Sequence, residues 1–153
     1  MFSKARLIGT LALGGFFVCL DQYLKRLAQQ NPLTHLYLLR PWLGFEYFKN
    51  TGVAFSLPIP QWLVLWVTPF VLFGLGILLI RSQKKNVWVT TALLFILAGA
   101  ISNYIDRALF GGTIDYIRVF TGVINIADVM IAFGFTILLV YEWRKTNQTK
   151  GSQ

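Results

Sequence analysis

Three aspartates sit at helical spacing from an amide or a cation, inside stretches that are otherwise apolar. Asp21 and Lys25 are i, i+4; Asn103, Asp106 and Arg107 are i, i+3, i+4; Asn125 and Asp128 are i, i+3. Each set therefore shares one helix face. An ionisable side chain in a membrane-length apolar stretch is unfavourable by roughly 2.5–3.5 kcal/mol, which makes such residues functional candidates. The plainer account is structural: ion pairs and hydrogen bonds that glue a bundle together. It suits Asp21 with Lys25 and Asp106 with Arg107, where each acid has a cation beside it. It suits Asp128 less, since Asn125 is its polar neighbour at helical spacing and no cation is. Asp115 follows Gly111-Gly112-Thr113-Ile114 in an outer loop, where a glycine turn would re-aim the chain. Asp115 and Asp128 are the acids that local pairing explains least.

Two carboxyls held close together cannot both ionise readily, so one pKa rises and the pair shares a proton. Such a pair can deprotonate a water while protonating a carbonyl oxygen. That is aspartic-type amide hydrolysis, and it needs no metal, serine or cysteine. Other routes are thin. The single His, His35, has no Asp or Ser at motif spacing. One Cys and one His exclude a disulfide framework and zinc sites that need two or more such ligands. No metal and no cofactor are expected. Cys19 lies in an apolar run and reads as a packing residue. A Ser/Lys dyad from Ser56 with Lys49 or Lys25 is the remaining nucleophilic option.

These residues need elements to position them. The chain has 153 residues, 56% of them hydrophobic and only 13% charged. An ordinary soluble domain is about 25% charged, so a soluble globule of this size is excluded, and so is disorder. The expectation is one integral-membrane domain, residues 1–153. Four spans are expected at about 7–25, 61–80, 87–105 and 123–141, each near the roughly 20 residues a bilayer requires. The expected fold class is an all-α membrane protein, a four-transmembrane-helix bundle.

Charge gives the direction. Lys4, Arg6, Arg81, Lys84, Lys85, Arg144, Lys145 and Lys150 fall on one side with the single acid Glu142, while the other side mixes basic residues with acids. The positive-inside rule then places both termini in the cytoplasm. Most of the net charge of +8 is topology and attraction to anionic lipid, so nucleic acid is not expected as a partner. At about 1.5 Å per residue, Asp21, Asn103, Asp106 and Asp128 all fall about 20–28 Å from the cytoplasmic face. Four polar side chains from three spans therefore meet near the outer surface. The first span starts basic and apolar like a signal peptide, but no small-x-small cleavage site follows, so it reads as a retained anchor.

The outer segment, about 36–58, is not apolar enough to span. Leu43, Phe45 and Tyr47 alternate with Gly44, Glu46 and Phe48, which predicts a short strand. Residues 53–57 are its expected partner, with Asn50-Thr51-Gly52 as the turn. Trp42, Trp62 and Trp143 lie near span ends and read as interfacial anchors.

Taken in order, the clusters resemble the lipoprotein signal peptidase family (signal peptidase II). The matching pieces are Asp21-Gln22-x-x-Lys25, Asn50-Thr51-Gly52-Val53-Ala54-Phe55-Ser56, Asn103-x-x-Asp106-Arg107, Thr113-Ile114-Asp115-Tyr116 and Asn125-Ile126-Ala127-Asp128. The resemblance implies a membrane aspartyl endopeptidase of the bacterial cytoplasmic (inner) membrane, with its active site near the outer surface. Asp115 and Asp128 would be the catalytic dyad. Asp21, Lys25, Asn50, Gly52, Ala54, Asn103, Asp106, Arg107, Asn125 and Ala127 would support them or bind substrate. It further implies cleavage of prolipoproteins just before a Cys carrying a diacylglyceryl thioether, globomycin-type inhibitors at the same site, a monomer, and a small outer, periplasmic-side β-sheet cradle on the helix bundle. The chain departs from the family at three packing positions. Ser102 stands where Gly is usual, Ile124 and Tyr116 where Phe is usual, and the stretch between the two dyad acids is short. Two rival readings are a small transporter using the acids as a proton relay, and a Ser/Lys signal peptidase using Ser56.

Overall fold

The computed structural model describes residues 4–52, 59–82 and 86–150. It contains four helices, α1 (Lys4–Gln30), α2 (Gln61–Ser82), α3 (Val87–Phe110) and α4 (Ile126–Lys150). Four strands lie between them: β1 (Leu36–Leu39), β2 (Leu43–Asn50), β3 (Thr113–Val119) and β4 (Gly122–Ile124). Among the described residues, three helical stretches are long and apolar enough to cross a membrane: Gln61–Ser82, Val87–Phe110 and Ile126–Gln148. In α1, Asp21, Gln22 and Lys25 interrupt the apolar run that begins the helix. The expected all-α class therefore needs correcting to a helical bundle with a sheet, and the expected spans shift. The first and third helices run on past residues 25 and 105, and the fourth begins only at Ile126 because Val123 belongs to β4.

The helix α3 is the hub. It packs against α1, α2 and α4, and 44% of its span is buried inside the protein against 6% for α2. The α3–α4 crossing is close because it is made of small residues. A Cβ on Gly99 would stand 2.5 Å from the Ala127 carbonyl oxygen, and one on Gly134 would stand 2.6 Å from that of Ala92. Ala127 itself is fully buried, so its place in the last motif is that of a backbone against which α3 presses. Gly99→Ala is expected to push the helices apart at the level of Asn103. Overpacking of this kind is unfavourable by roughly 1–3 kcal/mol, and a lowered thermal midpoint in detergent would register it.

The sheet is antiparallel throughout, in the order β1-β2-β3-β4. Alternation in residues 43–48 does produce a strand, but its partners are β1 and β3. The expected partner, residues 53–57, lies outside the described residues. The expected outer loop between the third and fourth spans is in fact β3 and β4. Its residues are rich in β-branched side chains (Thr113, Ile114, Ile117, Val119), which suit a pleated surface. The α3 helix ends at Gly111, whose φ of 68° is the left-handed conformation that favours glycine. Gly112 then passes so near β2 that a Cβ would lie 2.8 Å from the Asn50 carbonyl oxygen. The two glycines turn the chain from α3 directly into the sheet, which brings Asp115 over the helix ends.

Candidate active site

Four segments converge at the outer end of the bundle: the last third of α1, the end of α3, β3 and the start of α4. They hold a continuous polar network. Lys25 is its centre on the helix side. Its Nζ pairs with Asp21 Oδ2 at 2.7 Å and with Asp106 Oδ2 at 2.8 Å, and donates to Asn103 Oδ1 at 3.0 Å. All three charged groups are buried. The local pair Asp21–Lys25 is thus present, whereas Asp106 takes Lys25 and not its sequence neighbour Arg107. Arg107 instead donates through Nη2 to the Gly52 carbonyl at 2.9 Å. Its buried Nη1 has no hydrogen-bond partner among the described residues.

Asp21 is more heavily hydrogen-bonded than its spacing suggested. Its Oδ1 accepts from the Tyr116 hydroxyl at 2.9 Å and from the Ile126 backbone N–H at 3.0 Å, and its Oδ2 accepts from the Ser102 hydroxyl at 2.7 Å. Gln22 donates to Ser102 Oγ at 2.9 Å and to Asp106 Oδ1 at 2.9 Å. Two of the positions read as packing departures, Ser102 and Tyr116, are therefore polar members of the network. Both give their hydroxyl protons to one carboxylate. Burial, and then the Asp21 charge, push the Tyr116 phenol far above its ordinary range, so it remains a donor.

Asp115 and Asp128 occupy the other half. Asp115, on β3, is buried. Its Oδ1 accepts from Asn125 Nδ2 at 2.6 Å and its Oδ2 from Asn50 Nδ2 at 3.2 Å. Asp128 Oδ1 accepts from Asn103 Nδ2 at 2.8 Å. Its Oδ2 accepts from the Asn125 backbone N–H at 3.3 Å, while Asn125 Oδ1 accepts from the Asp128 N–H at 2.9 Å. Asn125 and Asp128 are thus the N-cap and third residue of α4, bonded reciprocally as a capping box. The spacing had read as one face inside a span, but it is the start signal of the helix. Asn125 Nδ2 also reaches Asn103 Oδ1 at 3.1 Å, so one amide touches both halves of the network and both acids.

Neither Asp115 nor Asp128 forms a salt bridge among the described residues. Burial first, and the Asp128 charge second, raise the Asp115 carboxyl to about 6, against the lowering effect of its two amide donors. Asn50 is held by an Asx turn, its Oδ1 accepting from the Gly52 N–H at 3.0 Å. Ala54 and Ser56 lie outside the described residues, and Lys25 is already committed to two carboxylates.

One polar cluster escaped the sequence reading. Glu46 is buried in the sheet and accepts from Arg118 Nε at 2.8 Å, from Arg118 Nη2 at 2.7 Å and from the Tyr37 hydroxyl at 3.0 Å. Its carboxyl is held below the usual range, chiefly by Arg118. This bidentate pair ties β2 to β3, the strand that carries Asp115.

A family model described as signal peptidase (SPase) II matches residues 13–144. The lipoprotein signal peptidase of Chlorobium phaeobacteroides (strain BS1) is 33% identical over 149 residues, covering 82% of this chain and 94% of that one. The lipoprotein signal peptidase of Enterococcus faecalis (strain ATCC 700802 / V583) is 33% identical over 135 residues, covering 84% of each. A bacterial membrane enzyme solved by the in meso method at 2.3 Å is similar in fold, with a TM-score of 0.80, 23% identity and 92% of each chain covered.

Proposed function

The chain belongs to the signal peptidase II family, and on that premise we propose that it is an aspartic endopeptidase in which Asp115 and Asp128 share the catalytic work. The observation that carries this reading is a difference among the interior acids. Asp21 and Asp106 share Lys25, and Glu46 has Arg118, whereas Asp115 and Asp128 have only amide donors. A carboxyl held by amides keeps its capacity to exchange a proton. One held by a buried cation is fixed as a carboxylate.

In the mechanism, the dyad holds one proton. One carboxylate takes a proton from water as it attacks the scissile carbonyl carbon, and the other carboxyl gives its proton to the carbonyl oxygen. The tetrahedral intermediate then collapses with proton transfer to the departing amine. The dyad titrates as a pair, so the roles of base and acid belong to the pair rather than to either residue. Asn125, Asn103 and Asn50 aim the carboxyls. Arg107, through Nη1, is available to a substrate carbonyl beside Gly52.

The substrate is a prolipoprotein whose Cys carries a diacylglyceryl group, and cleavage falls just before that Cys. Burying acyl chains is favourable by about 0.8 kcal/mol per CH₂, so the lipid anchors the peptide beside the acids. The chain is a single membrane domain of four spans with both termini cytoplasmic, which puts the acids near the outer surface. Globomycin-type inhibitors would compete for the same site, and a monomer suffices. The test is incubation of the purified protein with a diacylglyceryl-modified precursor and with its unlipidated form. Mass spectrometry is expected to show a new N-terminal diacylglyceryl-Cys from the first and no product from the second. Equal cleavage of both would remove the lipid from recognition.

The raised Asp115 carboxyl gives a pH dependence with a definite sign. It is neutral below about 6 and ionised above. The one-proton form of the dyad is therefore lost as pH rises, and kcat/KM, which reports the free enzyme, is expected to fall as pH climbs through about 6. A profile flat from pH 5 to about 8 would contradict a shared proton on this acid.

A further inference from the structure

At the end of the bundle away from the acids, α3 and α4 leave a groove of about 420 Å³. We propose that this groove binds an anionic phospholipid of the membrane leaflet opposite the acid cluster. One stripe of α4 forms its wall: Ile137, Tyr141, Arg144 and Lys145 stand at i, i+4, i+7 and i+8. Val140 extends the apolar side, and Trp88 from the first turn of α3 closes it, with 62% of its surface exposed.

Depth sets the ligand class. From Asp128 to Arg144 is sixteen helical residues, about 24 Å at 1.5 Å each. The groove thus lies near the far face of a hydrocarbon core about 30 Å thick, where head groups begin. Its chemistry follows the same gradient. Ile137 and Val140 face the level of acyl chains. Trp88 and Tyr141 are the amphipathic rings favoured at the interface. Arg144 and Lys145 stand at the level of phosphate.

Charge then selects among lipids. Arg144 makes no salt bridge among the described residues. The positive end of α3 opens at the same place, where the Asn86 side chain takes up the Trp88 and Val89 amides. A zwitterionic head group would bring its own cation against these charges, whereas a phosphatidylglycerol head group brings only the anion. The site does not depend on the peptidase reading, since it asks only that α3 and α4 cross the membrane.

Trp88 supplies the probe. The full chain is reconstituted in nanodiscs holding either brominated phosphatidylglycerol or brominated phosphatidylcholine in an unbrominated background. Trp88 quenching is taken as the difference between the protein and its Trp88→Phe variant. With about fivefold expected per basic residue, the anionic lipid should be preferred roughly tenfold, and Arg144→Gln/Lys145→Gln should abolish the preference. Trp66 on α2, 72% exposed, read through Trp66→Phe, is expected to show no preference and so confirms the fold of the reconstituted protein. Equal quenching of Trp88 by both lipids would overturn the proposal, as would a preference that survives the double substitution. Loss of the preference on adding millimolar inorganic phosphate would mean a free-phosphate site and would overturn it too.

Discussion

Asp115→Asn and Asp128→Asn are each expected to lower cleavage of a lipidated precursor by at least about 10³-fold, with folding preserved. The size follows from the roles. General acid and base assistance contribute about 10²–10⁴-fold each, and groups that act as one unit lose most of their joint effect when either is removed. Preserved folding follows from the partners. Asp115 accepts one hydrogen bond on each oxygen, from Asn125 and Asn50, and an asparagine there keeps one acceptor oxygen. Removing an uncompensated buried charge also relieves desolvation, so Asp115→Asn is expected to leave the thermal midpoint unchanged or raise it. Asp128→Asn weakens the α4 capping box, for which about 1 kcal/mol of destabilisation is expected. The double variant should be no slower than the worse single one. Near-wild-type cleavage by either folded single variant would remove that residue from the dyad and leave the proteolytic site to be sought elsewhere.

The local half of this site was legible in the sequence because its signals are short-range. Asp21 with Lys25 needs only one helical turn, and the pair is there. Strand β2 needs only alternation over residues 43–48, and it forms. The choice of Asp115 and Asp128 as the acids without a local cation rested on the same logic, and neither has a salt bridge in the folded chain. What failed was pairing across the fold. Asp106 stands next to Arg107, so spacing favoured that pair, but Lys25 on α1 reaches Asp106 from a different helix. No period in the sequence announces a contact separated by some eighty residues. Glu46 and Arg118 are joined across 72 positions and escaped for the same reason.

A second failure came from judging side chains by bulk. Tyr116 and Ser102 differ from the family's usual residues by an added hydroxyl, which looked like a packing change. Both hydroxyls end on Asp21, one on each carboxylate oxygen. A hydroxyl in a buried site is seldom neutral, because it must find a partner or lose free energy. That rule was available beforehand; the identity of the partner was not. The loop reading of residues 107–122 failed for a similar reason. Gly111-Gly112 looked like loop residues, but the two glycines serve a left-handed helix end and a close approach to Asn50, and the chain enters a strand at once.

The expected destabilisation is largest at Lys25, and it separates scaffold from chemistry. Lys25→Met leaves Asp21 and Asp106 buried without their shared cation. Breaking a buried pair in this way is unfavourable by about 3–5 kcal/mol, so the thermal midpoint should fall further than for any variant above. Catalysis should suffer by a distinct route. Lys25 Nζ donates to Asn103 Oδ1, which forces the Asn103 amide to turn its Nδ2 toward Asp128. Without the ammonium, that amide is free to flip and present an oxygen to a carboxylate. The triple variant Asp21→Asn/Lys25→Met/Asp106→Asn removes the stranded charges and is expected to regain much of the midpoint, because the neutral amides can still accept from Tyr116, Ser102 and Ile126. It should not regain the rate, since nothing then holds Asn103. Stability restored with cleavage still depressed is the signature of a positioning cation. If stability and rate recover together, Lys25 serves only to neutralise its two acids.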